Sequence, residues 1–152
     1  MTQLDAAYTK WRKVIAAGND NFELRHTLIT LVYYFRAIDL AVLLVKQWPL
    51  SQRAIHALLV SYHNLAELYE REKCMRQAWQ VLVTAKQQMM AAFCKQGERA
   101  GLNLACQQAR KRLSQFENAH GRFAPFSPPQ KELNTYTGNG LTALHSQQPV
   151  RR

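Results

Sequence analysis

The stretch "YHNLAELYEREKCMRQAWQVLVTAK", residues 62–86, places Ala66, Ala78 and Ala85 among large aromatic and aliphatic side chains. Apolar residues recur at intervals of three and four on both sides of a charged segment at 70–73. That spacing puts them on one face of a helix, so the stretch predicts two helices joined by a turn. Small residues on both helices allow two helix backbones to approach closely. An antiparallel helical hairpin is therefore expected here.

The same helical spacing is present on the N-terminal side of this hairpin. A first amphipathic helix is expected to end at Gly18, because glycine often marks the end of a helical pattern. Asp20 and Glu23 have the spacing of a capping box, which predicts the start of a second helix. That helix is expected to run to about Gln47, just before a proline.

Three further helices complete the expected array. Ser51 is the predicted N-cap of the third helix, and 70–73 is its exposed end and turn. The fourth helix is expected to continue a turn or two beyond Met90, and the last to span 98–118. No part of 1–118 alternates apolar and polar residues long enough to predict a sheet. The expected fold class is all-α, an antiparallel array of about five helices.

The C-terminal part of the chain has a different composition. Residues 119–152 contain four of the five prolines and three of the six glycines, without a sustained apolar period. Such composition is typical of segments that do not bury a core. The predicted domain organisation is a helical domain at 1–118 and a flexible tail at 119–152.

Composition and cysteine usage favour a globular, cytoplasmic protein. The chain has 152 residues and is 47% hydrophobic, enough for one domain with a real core. Its three cysteines show no paired spacing, which favours free thiols in a reducing compartment. The N-terminal residues lack the apolar segment of a secretory signal. A cytoplasmic location is therefore expected.

The apolar segment at 28–45 is almost long enough to cross a membrane. Arg36 and Asp39 interrupt it near the middle, where each charge would cost roughly 2.5 to 3.5 kcal/mol on insertion scales. The two charges are three residues apart and can face one another on a helix. We therefore expect no membrane insertion, and a central helix buried on most sides.

The hairpin resembles the tetratricopeptide repeat, a helix-turn-helix unit with a period of 34 residues. The match covers 59–92 and departs from the family pattern at Met90, where proline is usual. The resemblance implies that Ala66 and Ala78 form the contact between the paired helices, and that Ala85 meets the next helix. The residues that carry the resemblance are Tyr62, Leu65, Ala66, Tyr69, Ala78, Leu82 and Ala85.

The preceding part of the chain matches this repeat less well. If Pro49 closes an earlier 34-residue unit, Ala37 occupies a small-residue position, but Arg25 stands where another small residue is expected. The first 48 residues are thus only repeat-like. Since each repeat needs neighbours to bury its faces, so short an array is expected to use atypical end helices or to self-associate as a homo-oligomer.

The resemblance also implies a function, because the first helices of such hairpins line a groove that binds a peptide or a partner helix. Carried over to this chain, the partner-binding face comprises Val60, His63, Asn64, Glu67 and Arg71. The Asn64 amide can donate and accept hydrogen bonds with a peptide backbone. Glu67 together with Glu70 would repel a carboxylate, which favours a basic or neutral peptide. The expected function is a protein-interaction adaptor or regulator.

Two other classes of function remain as alternatives. The net charge of +10 allows electrostatic binding of nucleic acid or an acidic partner, but the chain has no base-reading motif, so only weak, non-specific nucleic-acid binding is expected. Catalysis is not expected, since the sequence shows no phosphate loop, nucleophile elbow or metal-ligand spacing. No metal or other cofactor is therefore expected.

Overall fold

The computed structural model describes residues 1–97 and 100–124, and these fold into five α-helices. No strand is present in this part of the chain, which confirms the all-α prediction. The predicted tail falls mostly at 125–152, outside the described residues. The helices are α1 (Gln3–Glu23), α2 (Thr27–Gln47), α3 (Gln52–Arg71), α4 (Met75–Gln96) and α5 (Ala100–His120).

The five helices form two layers with α3 in the middle. Each helix packs against the next in the chain, and α3 also contacts α1 and α5. Short connections make consecutive helices antiparallel. Helices α1, α3 and α5 therefore form one layer, and α2 and α4 the other. The backbones of α2 and α4 do not approach each other within the described ranges, nor do those of α1 and α5.

The helix ends differ from the predicted ones at the start of the chain. Thr2 caps α1 in a reciprocal capping box, in which its hydroxyl accepts a hydrogen bond from the Asp5 N–H at 3.0 Å. The prediction that Gly18 ends this helix is wrong, because α1 continues to Glu23. Asp20 therefore lies inside α1 and does not cap α2, which begins at Thr27.

Three other predicted boundaries are confirmed. Helix α2 ends at Gln47, and Ser51 caps α3 by accepting a hydrogen bond from the Ala54 N–H at 3.3 Å. Helix α4 continues past Met90 to Gln96. Helix α5 ends two residues beyond the predicted domain boundary, at His120.

Gly18 stays inside α1 because a larger residue does not fit there. A Cβ at this position would lie 2.6 Å from Cε1 of the buried Tyr34 ring on α2. The absent side chain lets the two helices approach closely. The glycine thus serves the packing of a hairpin rather than the end of a helix.

The two hairpins, α1–α2 and α3–α4, repeat one another at an offset of 48 residues. Their three-residue turns, 24–26 and 72–74, both have a central residue with positive φ, 61° at Arg25 and 64° at Lys73. Small or polar buried positions also coincide at this offset: Gly18 with Ala66, Thr30 with Ala78, and Ala37 with Ala85.

The 48-residue offset replaces the 34-residue spacing that the sequence analysis counted back from Pro49. The helices are 20 to 22 residues long, so each hairpin exceeds the 34-residue unit of the tetratricopeptide repeat. Arg25 lies in the turn, and Gly18 is the small residue that the first hairpin uses. The two hairpins are therefore more similar in structure than the 34-residue spacing indicated.

The expectation that α2 is buried on most sides is wrong. By length and composition this helix is long and apolar enough to cross a membrane, yet only 28% of its apolar window is buried. One face, with Ala37, Ala41 and Leu44, packs into the core. Arg36 and Asp39 are exposed on the other side, and the described residues show no ion pair between them.

The open end of the array, beside α4 and α5, is covered by the chain that follows α5. Phe123 packs against Trp79 and Phe116, with ring centroids 6.3 and 6.4 Å apart. The Trp79 indole N–H donates to the Glu117 carboxylate at 2.9 Å, which lowers the pKa of Glu117. Residues 121–124 thus belong to the packed domain.

Replacing Gly18 with alanine should destabilise the protein, although alanine normally favours a helix by about 1 kcal/mol over glycine. The new methyl group would collide with the Tyr34 ring, whose hydroxyl is held by Asn19. We expect the free energy of unfolding to fall by about 1 to 2 kcal/mol, measured by urea denaturation.

Gly101→Ala is the matched control for this substitution. The three atoms nearest to a Cβ at Gly101 would all belong to the side chain of Gln52, which is exposed and can move away. Its stability should be unchanged or slightly higher. Equal stability of both variants and the parent would contradict the close packing of α1 on α2.

Candidate functional site

A groove runs along α3 between its two neighbours α1 and α5. Both neighbours contact α3, but not each other within the described residues, so one side of α3 remains open as the floor. We call this surface the groove. Four shallow depressions follow it, lined by Tyr8, Arg12, Lys13, Asn19 and Glu23 of α1, by His56, Leu59, Val60, His63, Asn64 and Glu67 of α3, and by Leu104, Gln108, Lys111, Arg112 and Gln115 of α5.

A buried polar contact fixes the position of α3, the groove floor, relative to α1. The Trp11 indole N–H donates to the Ser61 hydroxyl at 2.8 Å, and this hydroxyl donates to the Ala57 carbonyl at 2.7 Å. Trp11 and Ser61 are both buried. A satisfied polar contact between two apolar surfaces specifies one register, because any sliding leaves buried groups unpaired.

Asn19 joins three helices at one side of the groove. Its side-chain oxygen accepts hydrogen bonds from the Tyr34 hydroxyl at 2.7 Å and from the Asn64 amide at 2.9 Å. Burial raises the pKa of Tyr34 to about 12, so its hydroxyl stays a proton donor at physiological pH. Asn64 is therefore oriented by the fold, and its amide oxygen accepts no hydrogen bond from the described residues.

His63 lies half-buried on the groove floor, where its Nε2 atom is inaccessible and has no hydrogen-bond partner among the described residues. Burial, assisted by the positive charge of Arg112, lowers the pKa of His63 to about 4. The imidazole is thus neutral at physiological pH. A buried nitrogen without a partner is a costly group, which helps to explain why this imidazole does not also take up a proton.

The remaining predicted site residues take different positions. Val60 is half-buried and borders the same depression as His63 and Asn64. Glu67 is exposed and borders the neighbouring depression with Asn64. Arg71 is held by α1: its guanidinium donates to the Phe22 carbonyl and lies over the Phe22 ring, 3.9 Å from the ring centroid. The fold therefore uses Arg71 to tie α3 to α1.

The charges along the groove differ from those that the sequence suggested. Glu70 forms a salt bridge with Arg112 of α5, so the negative charge of Glu70 is already compensated. Arg12 and Lys13 border the groove from α1, and Lys111 borders it from α5. The acids that border the groove are Glu23 and Glu67, so these three cations outnumber them and offset the negative charge expected from Glu67 and Glu70.

The structure offers no ready metal centre in the part of the chain that it describes, since no three His, Cys, Asp or Glu side chains come together there. The three cysteines are free; Cys106 is buried and donates to the Met89 carbonyl at 3.3 Å, while Cys94 is exposed. Burial raises the pKa of the Cys106 thiol, which keeps it protonated.

Sequence reasoning missed the walls of the groove. A helix that ends at Gly18 would leave Asn19 in a connecting segment. The sequence therefore does not reveal that Asn19 lies next to Asn64. Lys111 lies in a run of three basic residues at 110–112, and the sequence does not show which of them borders the groove. Aligning the sequence with itself at an offset of 48 residues provides the missing signal. The alignment pairs α1 with α3 and therefore predicts that α1 continues through Glu23.

These features define the class of protein. It is an all-α array of antiparallel helices with an open groove along the layer formed by α1, α3 and α5. Comparison of the sequence with known families identifies one match, described as "Protein of unknown function (DUF2753)", over residues 9–126. The chain belongs to this family. No curated protein and no solved structure matches it significantly.

Acidification should destabilise the protein through His63. Its folded pKa of about 4 lies below the ordinary value of about 6.5, so the unfolded chain takes up the proton first. The stability that depends on a neutral His63 is fully present above about pH 6.5 and is lost as the pH falls towards 4. Between about pH 7 and about pH 5 the loss should be about 1 to 2 kcal/mol, measured by urea denaturation.

The His63→Gln variant should lack this part of the pH dependence. His56→Gln, which removes an exposed imidazole from the same groove, is the matched control. An equal loss of stability on acidification in His63→Gln and in the parent would show that the His63 imidazole is not held neutral by burial.

Proposed function

We propose that this protein is a non-catalytic protein-interaction adaptor or regulator, which binds an extended peptide or a helix of a partner in the groove along α3. The observation that carries the proposal is the pair of pre-positioned polar groups on the groove floor. The Asn64 amide is oriented by Asn19, and the neutral, half-buried imidazole of His63 borders the same depression. Groups held in place before binding lose little entropy when a ligand arrives.

The surroundings of these groups favour a peptide over a small molecule. The groove is a row of shallow depressions spread over three helices rather than one deep cavity. Small-molecule sites are usually concave and enclose most of the ligand. Apolar side chains such as Leu59 and Leu104 alternate with polar ones along the groove, which suits a segment that contributes both kinds of side chain.

An acidic segment is the proposed ligand class. Arg12 and Lys13 on one wall and Lys111 on the other would attract its carboxylates, and long-range attraction by the net charge of +10 would speed the encounter. Glu67 near one end of the groove would set the direction, because it repels an acidic group placed beside it. This binding is proposed to take place in the cytoplasm.

The resemblance to tetratricopeptide repeats supports the proposal through the layer order. The first helices of both hairpins, α1 and α3, lie side by side, and α5 continues the layer. This is the layer in which that family binds its ligands. The resemblance is one of arrangement, since the present helices are longer.

Reversing two groove charges should abolish partner binding without unfolding the protein. In the Arg12→Glu/Lys111→Glu double variant, both walls would repel an acidic segment, whereas exposed substitutions generally alter stability by less than about 0.5 kcal/mol. Affinity capture from a native lysate treated with nuclease, followed by a binding isotherm for the recovered partner, should show a loss of affinity of about tenfold or more.

The matched control is Lys10→Glu/Lys95→Glu, which makes the same change in net charge at exposed positions outside the groove. It should retain the partner. Equal loss in both double variants would mean that net charge alone determines binding. Recovery of nucleic acid that nuclease removes, unaffected by the groove variant, would favour electrostatic nucleic-acid binding instead.

A further inference from the structure

The outer face of α2 is the largest exposed apolar feature in the described part of the chain. Leu28, Val32 and Leu43 are 77%, 67% and 55% exposed, and Ile29 and Phe35 are also exposed. Of the nine large apolar residues that are exposed, seven lie between Leu24 and Leu50. A contiguous apolar surface on a soluble domain usually marks a contact with another molecule. We call it the α2 face.

The fold itself does not require this apolar face. Helix α4 occupies the equivalent place in the second hairpin, 48 residues later, and its outer positions are largely polar. Gln77 and Gln80 stand where α2 has Ile29 and Val32. Two helices with the same place in the array thus differ in what they present outward. The apolar residues of α2 therefore serve something outside this fold.

Two charges in the middle of the α2 face indicate what covers it, while a third, Lys46, lies in the last turn of the helix. Arg36 and Asp39 are exposed and lie at equal distances from a point between Ala37 and Ile38. A two-fold axis at that point, perpendicular to the helix, would place each Arg36 opposite an Asp39 of a second copy. The same axis would place Val32 opposite Leu43. The α2 face is therefore complementary to itself in an antiparallel pairing.

We propose that the α2 face is a homodimer interface, in which α2 packs antiparallel against α2 of a second copy of this chain. The apolar residues supply the driving force, and the two reciprocal Arg36–Asp39 pairs select the orientation. A parallel pairing would put like charges together at both positions. The helix has 21 residues, about 31 Å in length, which is enough to align all these groups.

A lipid bilayer fits this face less well than a second copy does. Asp39 lies at the centre of the exposed stripe, where a bilayer would have to bury it without a partner, and Arg36 lies beside it. The opposite face of α2 is committed to the core through Ala37, Ala41 and Leu44. In the dimer Arg36 and Asp39 each find an opposite charge at the same depth.

Light scattering combined with size-exclusion chromatography, from low to high micromolar concentration, tests the proposal on the full chain. The parent should have twice the mass of one 17.5 kDa chain and dissociate on dilution. Ile29→Gln/Val32→Gln, which gives α2 the residues of α4, should be a folded monomer. Leu104→Gln, at an exposed leucine outside the α2 face, should remain dimeric.

Charge reversal tests the predicted pairing. Arg36→Asp puts two acids on the α2 face, and Asp39→Arg puts two bases there, so each variant alone should be monomeric. A mixture of the two should form a heterodimer, because every acid then meets a base. The doubly reversed chain, Arg36→Asp/Asp39→Arg, should regain the homodimer. Circular dichroism verifies that each variant is folded.

Four results would overturn the proposal. The first is a parent that is monomeric at every concentration. The second is a dimer that persists in Ile29→Gln/Val32→Gln. The third is a monomeric parent that floats with phosphatidylcholine vesicles while Ile29→Gln/Val32→Gln does not, which would assign the α2 face to a membrane surface. A dimer lost in Leu104→Gln and kept in the α2 variants would place the interface in the groove.

Discussion

Burial of α3 among all four other helices is the constraint on which the rest of the structure depends. Ten of its 20 residues are buried, and it contacts every other helix. A helix buried on so many sides must present small residues wherever a neighbour comes closest, as at Ala54, Ala57 and Ala66. It must also satisfy its few buried polar groups internally, and Ser61 does so with Trp11 and the Ala57 carbonyl. The open groove exists because α1 and α5 flank α3 without meeting.

The fold class and the second hairpin were predictable from the sequence because local chemistry decides both. Ser51 caps a helix wherever it precedes one, and the alanines at 66, 78 and 85 mark close approach directly. Gly18 was misread because the same residue type ends helices and permits close packing. Only the position of Tyr34, which is set by tertiary structure, distinguishes the two roles.

The candidate site was predictable in part. The four residues Val60, His63, Asn64 and Glu67 do border the groove, since helical periodicity alone places them on one side of α3. Arg71 follows the same periodicity but is engaged by Phe22 of α1. Long side chains near a helix end can reach several neighbours, and sequence spacing does not say which one they take. The charge of the groove walls depends in the same way on which acids are already paired.

The separation of the array into two layers has a consequence for geometry at a larger scale. The groove belongs to the layer of α1, α3 and α5, whereas the α2 face belongs to the opposite layer. Two copies joined through α2 would therefore stand back to back, with their grooves turned outward and away from each other. Such an assembly is bivalent: it could hold two partner segments at once, or bind a partner carrying two copies of the segment with greater avidity than either groove alone.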